Sequence, residues 1–152
     1  LSENMFKQMI EKYEAEEVFE EYYKPCRFDK MFDLARQFAE ADEIVVGVPY
    51  WDMSFPSVLK VYVEHICVEG ITFRTTATGL EGMAKFTDML YLSTAGGYVQ
   101  SRNCGAEYMK AISEFLGCGS FRFYVAEGLD IAGNDERQIV SEAKEEVLKL
   151  VK

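Results

Sequence analysis

Five residues, Ile44-Val45-Val46-Gly47-Val48, end at a proline and constrain this chain more than any other segment. The length and β-branched content of the run suit a strand buried on both faces, as in a parallel sheet. Pro49 stops the ladder, because its φ is fixed and it has no N–H to donate. Two large aromatics, Tyr50 and Trp51, follow, and Pro56 sits where the first turn of a helix favours it. Parallel strands need a crossover connection, so this strand commits its neighbours to a β-α-β order. In open sheets of that kind, ligands bind at the loops leaving the carboxyl ends of the strands. Aromatic side chains beside backbone N–H groups at such a loop suit a flat, conjugated ligand with polar edges.

The rest of the chain keeps the same rhythm. Residues 3–23 are charged and helix-favouring, and residues 29–41 carry Met31, Phe32, Leu34, Ala35 and Phe38 as an apolar stripe at helical spacing. After the strand at 44–48, residues 56–68 read as a helix with Lys60 and Glu64 one turn apart. That helix is too apolar for an ordinary surface element, so its expected cover is the sheet on one side and a second subunit on the other. Gly70 is expected to end it. Residues 71–76 are β-prone, 79–82 read as a loop, and 88–93 form a second strand running into Thr94-Ala95-Gly96-Gly97-Tyr98. A helix over 106–116 ends at Gly117, a third strand covers 121–126, and Asn134 is expected to cap a last helix. The order predicts a parallel sheet with right-handed crossovers in a single domain, residues 1–152, with a helical lead-in (1–41) and a site-bearing core (42–152). Three main strands are two short of a five-strand doubly wound domain. The expectation is therefore an N-terminally truncated domain, its first β-α-β lying outside this sequence.

Charge and cysteine usage narrow the function. A formal charge of -10 argues against nucleic acid, whose phosphates need clustered Lys and Arg, and against an anionic membrane surface. No apolar run is long enough to span a bilayer, and the opening Leu-Ser-Glu-Asn-Met does not read as a signal region. Cys26, Cys67, Cys104 and Cys118 lack CxxC pairs and framework spacing, so four free thiols in a reducing cytoplasm are expected. His65 is the single histidine, and no closely spaced ligand pair supports a metal site. Two neighbouring strands each open into a distinctive loop, one rich in aromatics and the other with two adjacent glycines that expose backbone. Together they resemble two sides of a slot for a planar ring.

The series Val-Pro-Tyr-Trp-Asp-Met-Ser-Phe-Pro-Ser-Val-Leu-Lys, Gly-Ile-Thr-Phe-Arg, Ser-Thr-Ala-Gly-Gly and Ala-Glu-Gly-Leu resembles the FMN-dependent NADH:quinone oxidoreductase and azoreductase family, from about residue 42 to the C-terminus. The resemblance implies a flavodoxin-like three-layer α/β/α fold with a parallel sheet, and a homodimer through the helix at 56–68. It implies FMN as cofactor, NADH or NADPH as electron donor, and a quinone, azo or nitroaromatic compound as acceptor, with no side chain needed as catalyst. Pro49, Tyr50, Trp51, Asp52 and Met53 would line one edge of the flavin, and Ser93, Thr94, Ala95, Gly96 and Gly97 the other. Phe73 and Tyr98 are expected in the acceptor pocket. Asp52 stands where the family often has Asn, and Ala95 where it has Arg; both changes are expected to lower the flavin potential or to alter donor preference. The family's phosphate-holding loop follows a first strand that this sequence lacks. The alternatives are a non-catalytic flavodoxin-like electron-transfer or interaction module, and a fragment inactive without that loop.

Overall fold

A computed structural model of the chain describes residues 4, 7–8, 26–100, 102–117 and 119–151. Its elements are α1 (Cys26–Glu40), β1 (Glu43–Pro49), α2 (Ser57–Ile66), β2 (Phe73–Thr76), β3 (Gly79–Gly82), β4 (Asp88–Thr94), α3 (Cys104–Leu116), β5 (Ser120–Ala126) and α4 (Glu136–Leu150). The three longer strands form a parallel sheet in the order β1-β4-β5. Its register runs from Glu43, Asp88 and Ser120 at one end to Pro49, Thr94 and Ala126 at the other. All three strands therefore stop in one row, and their following loops open on one edge. The helix expected over 3–23 lies largely outside the described residues, where Asn4, Lys7 and Gln8 are helical.

Alternation along the strands separates two unlike faces. Ile44, Val46 and Val48 of β1 and the buried Met89 and Tyr91 of β4 turn to one side, against Phe38 of α1, Leu59, Val63 and Ile66 of α2, and Met109 and Leu116 of α3. That is the core, and the Phe38 and Phe86 rings meet edge-on in it at 5.6 Å. Residues 45, 47, 92 and 124 turn to the opposite side, where α4 is the one helix among the described residues. None of the residues of α4 is buried.

Several local readings change. Residues 79–82, expected as a loop, are β3, which pairs antiparallel with β2 from Phe73↔Gly82 to Thr76↔Gly79. Arg74 clasps Glu81 across this hairpin through two bonds of 2.9 Å. A Cβ on Gly82 would lie 2.5 Å from the Leu116 carbonyl carbon, so glycine is what lets the hairpin lie against the end of α3. The helix from Ser57 ends at Ile66 with Cys67 as its C-cap, three residues before Gly70. Gly70 (φ +85) turns the chain into the hairpin instead, donating its N–H to the Phe73 carbonyl at 2.7 Å. The cap of α4 is Asp135, not Asn134. The Asp135 carboxylate accepts from the N–H groups of Arg137 and Gln138, which suits an acid at the positive end of a helix dipole.

Candidate functional site

The loop after β1 is a tight reversal. Trp51 and Ser54 exchange backbone bonds of 3.1 and 2.8 Å, and between them Asp52 and Met53 both have positive φ, 49° and 67°. These values are those of a type I′ turn, which usually takes Asn-Gly. A methionine in the left-handed region costs about 1–2 kcal/mol, so the surroundings impose the conformation. The ties are visible. The Tyr50 N–H donates to the Thr94 carbonyl at 2.8 Å, prolonging the ladder past Pro49, and the Cys104 N–H donates to the Met53 carbonyl at 3.0 Å. The Tyr50 hydroxyl donates to the Arg102 carbonyl at 2.7 Å. Gly105 allows the close approach, since a Cβ there would meet the Tyr91 hydroxyl at 2.8 Å and the Phe55 ring at 3.0 Å.

The loop after β4 is held from its other side. Ala95 donates to the Ala126 carbonyl at 2.8 Å, and the carbonyls of Ala95, Gly96 and Gly97 accept from Leu129, Asp130 and Gly128 in turn. The Val99 N–H donates to the Glu127 carboxylate at 2.9 Å. Asn134 donates to the Gly128 carbonyl at 2.8 Å and to the Tyr98 hydroxyl at 3.3 Å, which explains why it does not cap α4. The carbonyls of the glycine loop are thus taken by the loop after β5, whereas the N–H groups of Gly96 and Gly97 have no acceptor among the described residues. The same holds for the N–H groups of Asp52 and Met53. Four unpaired donors on two adjacent loops are flanked by Trp51, 60% exposed, and Tyr98, 59% exposed. Donors with exposed aromatic faces beside them can bind the polar edge of a planar ring and stack on it.

The structure sorts the expected residues. Tyr50, Trp51, Asp52 and Met53 form the first loop, and Gly96, Gly97 and Tyr98 the exposed part of the second. Pro49, Ser93 and Thr94 lie at the strand ends and border an apolar groove beneath the loops. Ser93 is buried, and Ala95, at 2% exposure, also has its N–H engaged, so neither offers a ligand a side chain. Phe73 is not brought to these loops within the chain. Its ring packs on Phe115 at 5.1 Å, eleven residues along α3 from Cys104, which is roughly 17 Å of helix. His65 bonds the Val61 carbonyl through Nδ1 at 2.7 Å in the last turn of α2, a local structural role. Sequence reasoning missed Glu127, Asp130 and Asn134, which shape the glycine loop; the Ala-Glu-Gly-Leu segment was the signal for the first of them.

Among the described residues no helix is long and apolar enough to cross a membrane. A family model described as flavodoxin-like fold matches residues 1–151. An FMN-dependent NADH:quinone oxidoreductase 2 of Clostridium acetobutylicum is 40% identical over 121 residues, covering 74% of this chain and 60% of the relative. An FMN-dependent NADH:quinone oxidoreductase of Caldicellulosiruptor saccharolyticus is 30% identical over 141 residues, covering 90% of this chain and 70% of the relative. The chain therefore spans about three-fifths to seven-tenths of these relatives' length. Among solved structures, an FMN-dependent NADH-azoreductase from Bacillus anthracis in complex with FMN superposes with a TM-score of 0.74 at 24% identity, over 95% of this chain and 71% of that one. A further Bacillus anthracis azoreductase gives 0.71 at 25% identity, over 81% and 62%.

Proposed function

The chain belongs to the flavodoxin-like fold family, and from that premise we infer that it is the ring-binding portion of an NAD(P)H-dependent FMN oxidoreductase. The observation that carries the reading is the set of four unpaired backbone donors, on Asp52, Met53, Gly96 and Gly97, at the carboxyl edge of two adjacent parallel strands. FMN fits them: its isoalloxazine is planar and rimmed with carbonyl and ring-nitrogen acceptors. FMN, when bound, would supply hydride and two-electron chemistry between NADH or NADPH and a quinone, azo or nitroaromatic acceptor.

The chain's own residues bind and orient. Asp52, Met53, Gly96 and Gly97 direct N–H groups at the ring edge, and the hydrogen bonds that hold both loops fix those donors before any ligand arrives. Preorganisation of this kind removes the cost of ordering a loop on binding. Trp51 and Tyr98 offer exposed aromatic faces for stacking, and Tyr98 is held by Asn134. The carboxylate of Asp52 sits on the first loop with no amide to donate, which disfavours a reduced, anionic ring. The reading carries a homodimer through α2, supported by its exposed Val58 and Val61, and a cytoplasmic location, supported by the free thiols of Cys67 and Cys104.

Titration of the chain with riboflavin and with FMN, followed by quenching of flavin fluorescence, tests the reading. Both flavins should bind with similar affinity, because the donors described here face the ring and not the phosphate. Anaerobic addition of NADH or NADPH should then bleach the bound flavin. Absence of binding by both flavins overturns the proposal, and binding without bleaching by either nucleotide reduces it to a flavodoxin-like carrier.

A further inference from the structure

The edge of an isoalloxazine is not made of acceptors alone. One ring N–H, at N3, lies between two carbonyls, and burying it against donors only would leave a hydrogen bond unmade at a cost in free energy. A site that holds this edge through backbone N–H groups therefore needs an acceptor among them. The backbone around the four donors has few to offer. The Trp51 and Met53 carbonyls already accept from Ser54 and Cys104, and the Thr94 carbonyl from Tyr50. The carbonyls of Ala95, Gly96 and Gly97 all accept from residues 128–130. Between residues 94 and 97 no carbonyl is unpaired, so an acceptor at this loop has to be a side chain. Glu127 is engaged by the Val99 N–H, which leaves the carboxylate of Asp130.

Asp130 is laid along the glycine loop by its own backbone, whose N–H donates to the Gly96 carbonyl at 2.9 Å. A Cβ built on Gly96 would meet the Asp130 Cγ at 2.9 Å and its Cβ at 3.2 Å, with Oδ2 closer still. The carboxylate thus fills the space that any other residue at 96 would need, against a glycine whose own N–H is unpaired. Gly97, by contrast, faces open space. Asp130 is exposed, and among the described residues its carboxylate has no hydrogen-bond or ion-pair partner. It is an acceptor-only group set among donors. We propose that Asp130 is a specificity-determining residue of the ring site: its carboxylate accepts the N3–H of the ring, while N–H groups of the two loops donate to the carbonyls on either side. A donor-acceptor-donor edge selects planar rings with an unsubstituted imide N–H and rejects those in which that nitrogen is alkylated. The assignment rests on the flavin reading above and adds which part of the ring is read, and by which side chain.

The test is a fluorescence titration of the full chain with riboflavin and with 3-methylriboflavin, which differ only in the methyl group on N3. Riboflavin should bind at least about tenfold more tightly, the discrimination expected where a charged acceptor loses its donor. Asp130→Ala removes an exposed, unpartnered carboxylate, so it should leave far-UV circular dichroism unchanged, weaken riboflavin about tenfold and abolish the preference. Asp52→Gly deletes the carboxylate of the other loop at a φ of 49° that glycine adopts freely, and should leave the preference as it is. Equal binding of both flavins by the parent chain, or a preference that survives Asp130→Ala, overturns the proposal and leaves the flavin reading standing. A preference lost in Asp52→Gly and kept in Asp130→Ala also overturns it, assigning the N3–H to the first loop. Binding of neither flavin overturns the flavin reading itself, and this proposal with it.

Discussion

The left-handed turn at Met53 makes a prediction whose sign is unusual. Met53→Gly and Met53→Ala both delete the side chain, so the comparison between them cancels the loss of its partial burial and of any contact it makes. What differs is the backbone. At φ 67° an alanine bears the left-handed penalty of about 1–2 kcal/mol. A glycine escapes that penalty and loses about 0.5–1 kcal/mol in chain entropy on folding. Glycine at position 53 should therefore be more stable than alanine by about 0.5–1 kcal/mol. The ordinary order is the reverse, and exposed Ala111 inside α3 supplies the control, where Ala111→Gly should cost about 1 kcal/mol. Urea denaturation of the two position-53 variants, fitted with a common m-value, reads the difference directly. In thermal melts it corresponds to roughly 2–4 °C per kcal/mol for a domain of this size. Alanine equal to or more stable than glycine at 53 would show that the turn is not held left-handed, and the reasoning that fixes the Asp52 and Met53 donors would fail with it.

Three further outcomes follow from the same geometry. Gly97→Val places methyl groups in open space beside the glycine loop, so stability should stay within about 0.5 kcal/mol of the parent while flavin affinity falls at least tenfold; unchanged affinity in the fluorescence titration counts against a ring at that edge. Gly105→Ala pushes a methyl toward the Tyr91 hydroxyl, the Phe55 ring and the Ser54 backbone, and should cost about 1–3 kcal/mol in urea denaturation. Burial pushes the Cys67 thiol pKa up, with Lys60 opposing and Glu64 adding, so Cys67 should be alkylated more slowly by iodoacetamide at pH 8 than exposed Cys104, as read by peptide mass mapping. The folded state holds that proton more tightly than the unfolded chain does, so this group's contribution to stability declines as pH rises through the thiol range.

The sheet was legible because each of its strands is a short apolar run closed by proline, glycine or a polar loop, and because the helices between them carry apolar stripes. The hairpin strand β3 was not, since Gly-Leu-Glu-Gly has no apolar alternation. Its pairing rests on the Arg74–Glu81 clasp and on contact with the end of α3, both made across the fold. Asn134 and Asp135 are each good caps, and local sequence does not rank them. The choice falls to Asp135 because Asn134 is drawn to Gly128 and Tyr98. The two loops of the candidate site were visible as motifs. Which of their N–H groups are unpaired was not, because that depends on carbonyls contributed by residues 94 and 126 and on the chain at 128–130. Phe73 reads equally well as a ligand-facing or a core aromatic, and only the position of Phe115 decides where it packs.

At the amino ends of the strands, away from these loops, Asp88 accepts from both Ser120 and Arg122, and Arg122 reaches on to the Leu150 carbonyl at the end of α4. One ionic cluster thus fastens two strands and the last helix at the edge where no ligand is expected. The joint between α4 and the sheet at this end shares no residue with the loops at the opposite rim. Substitutions in the loops there leave the joint that keeps α4 on the sheet intact.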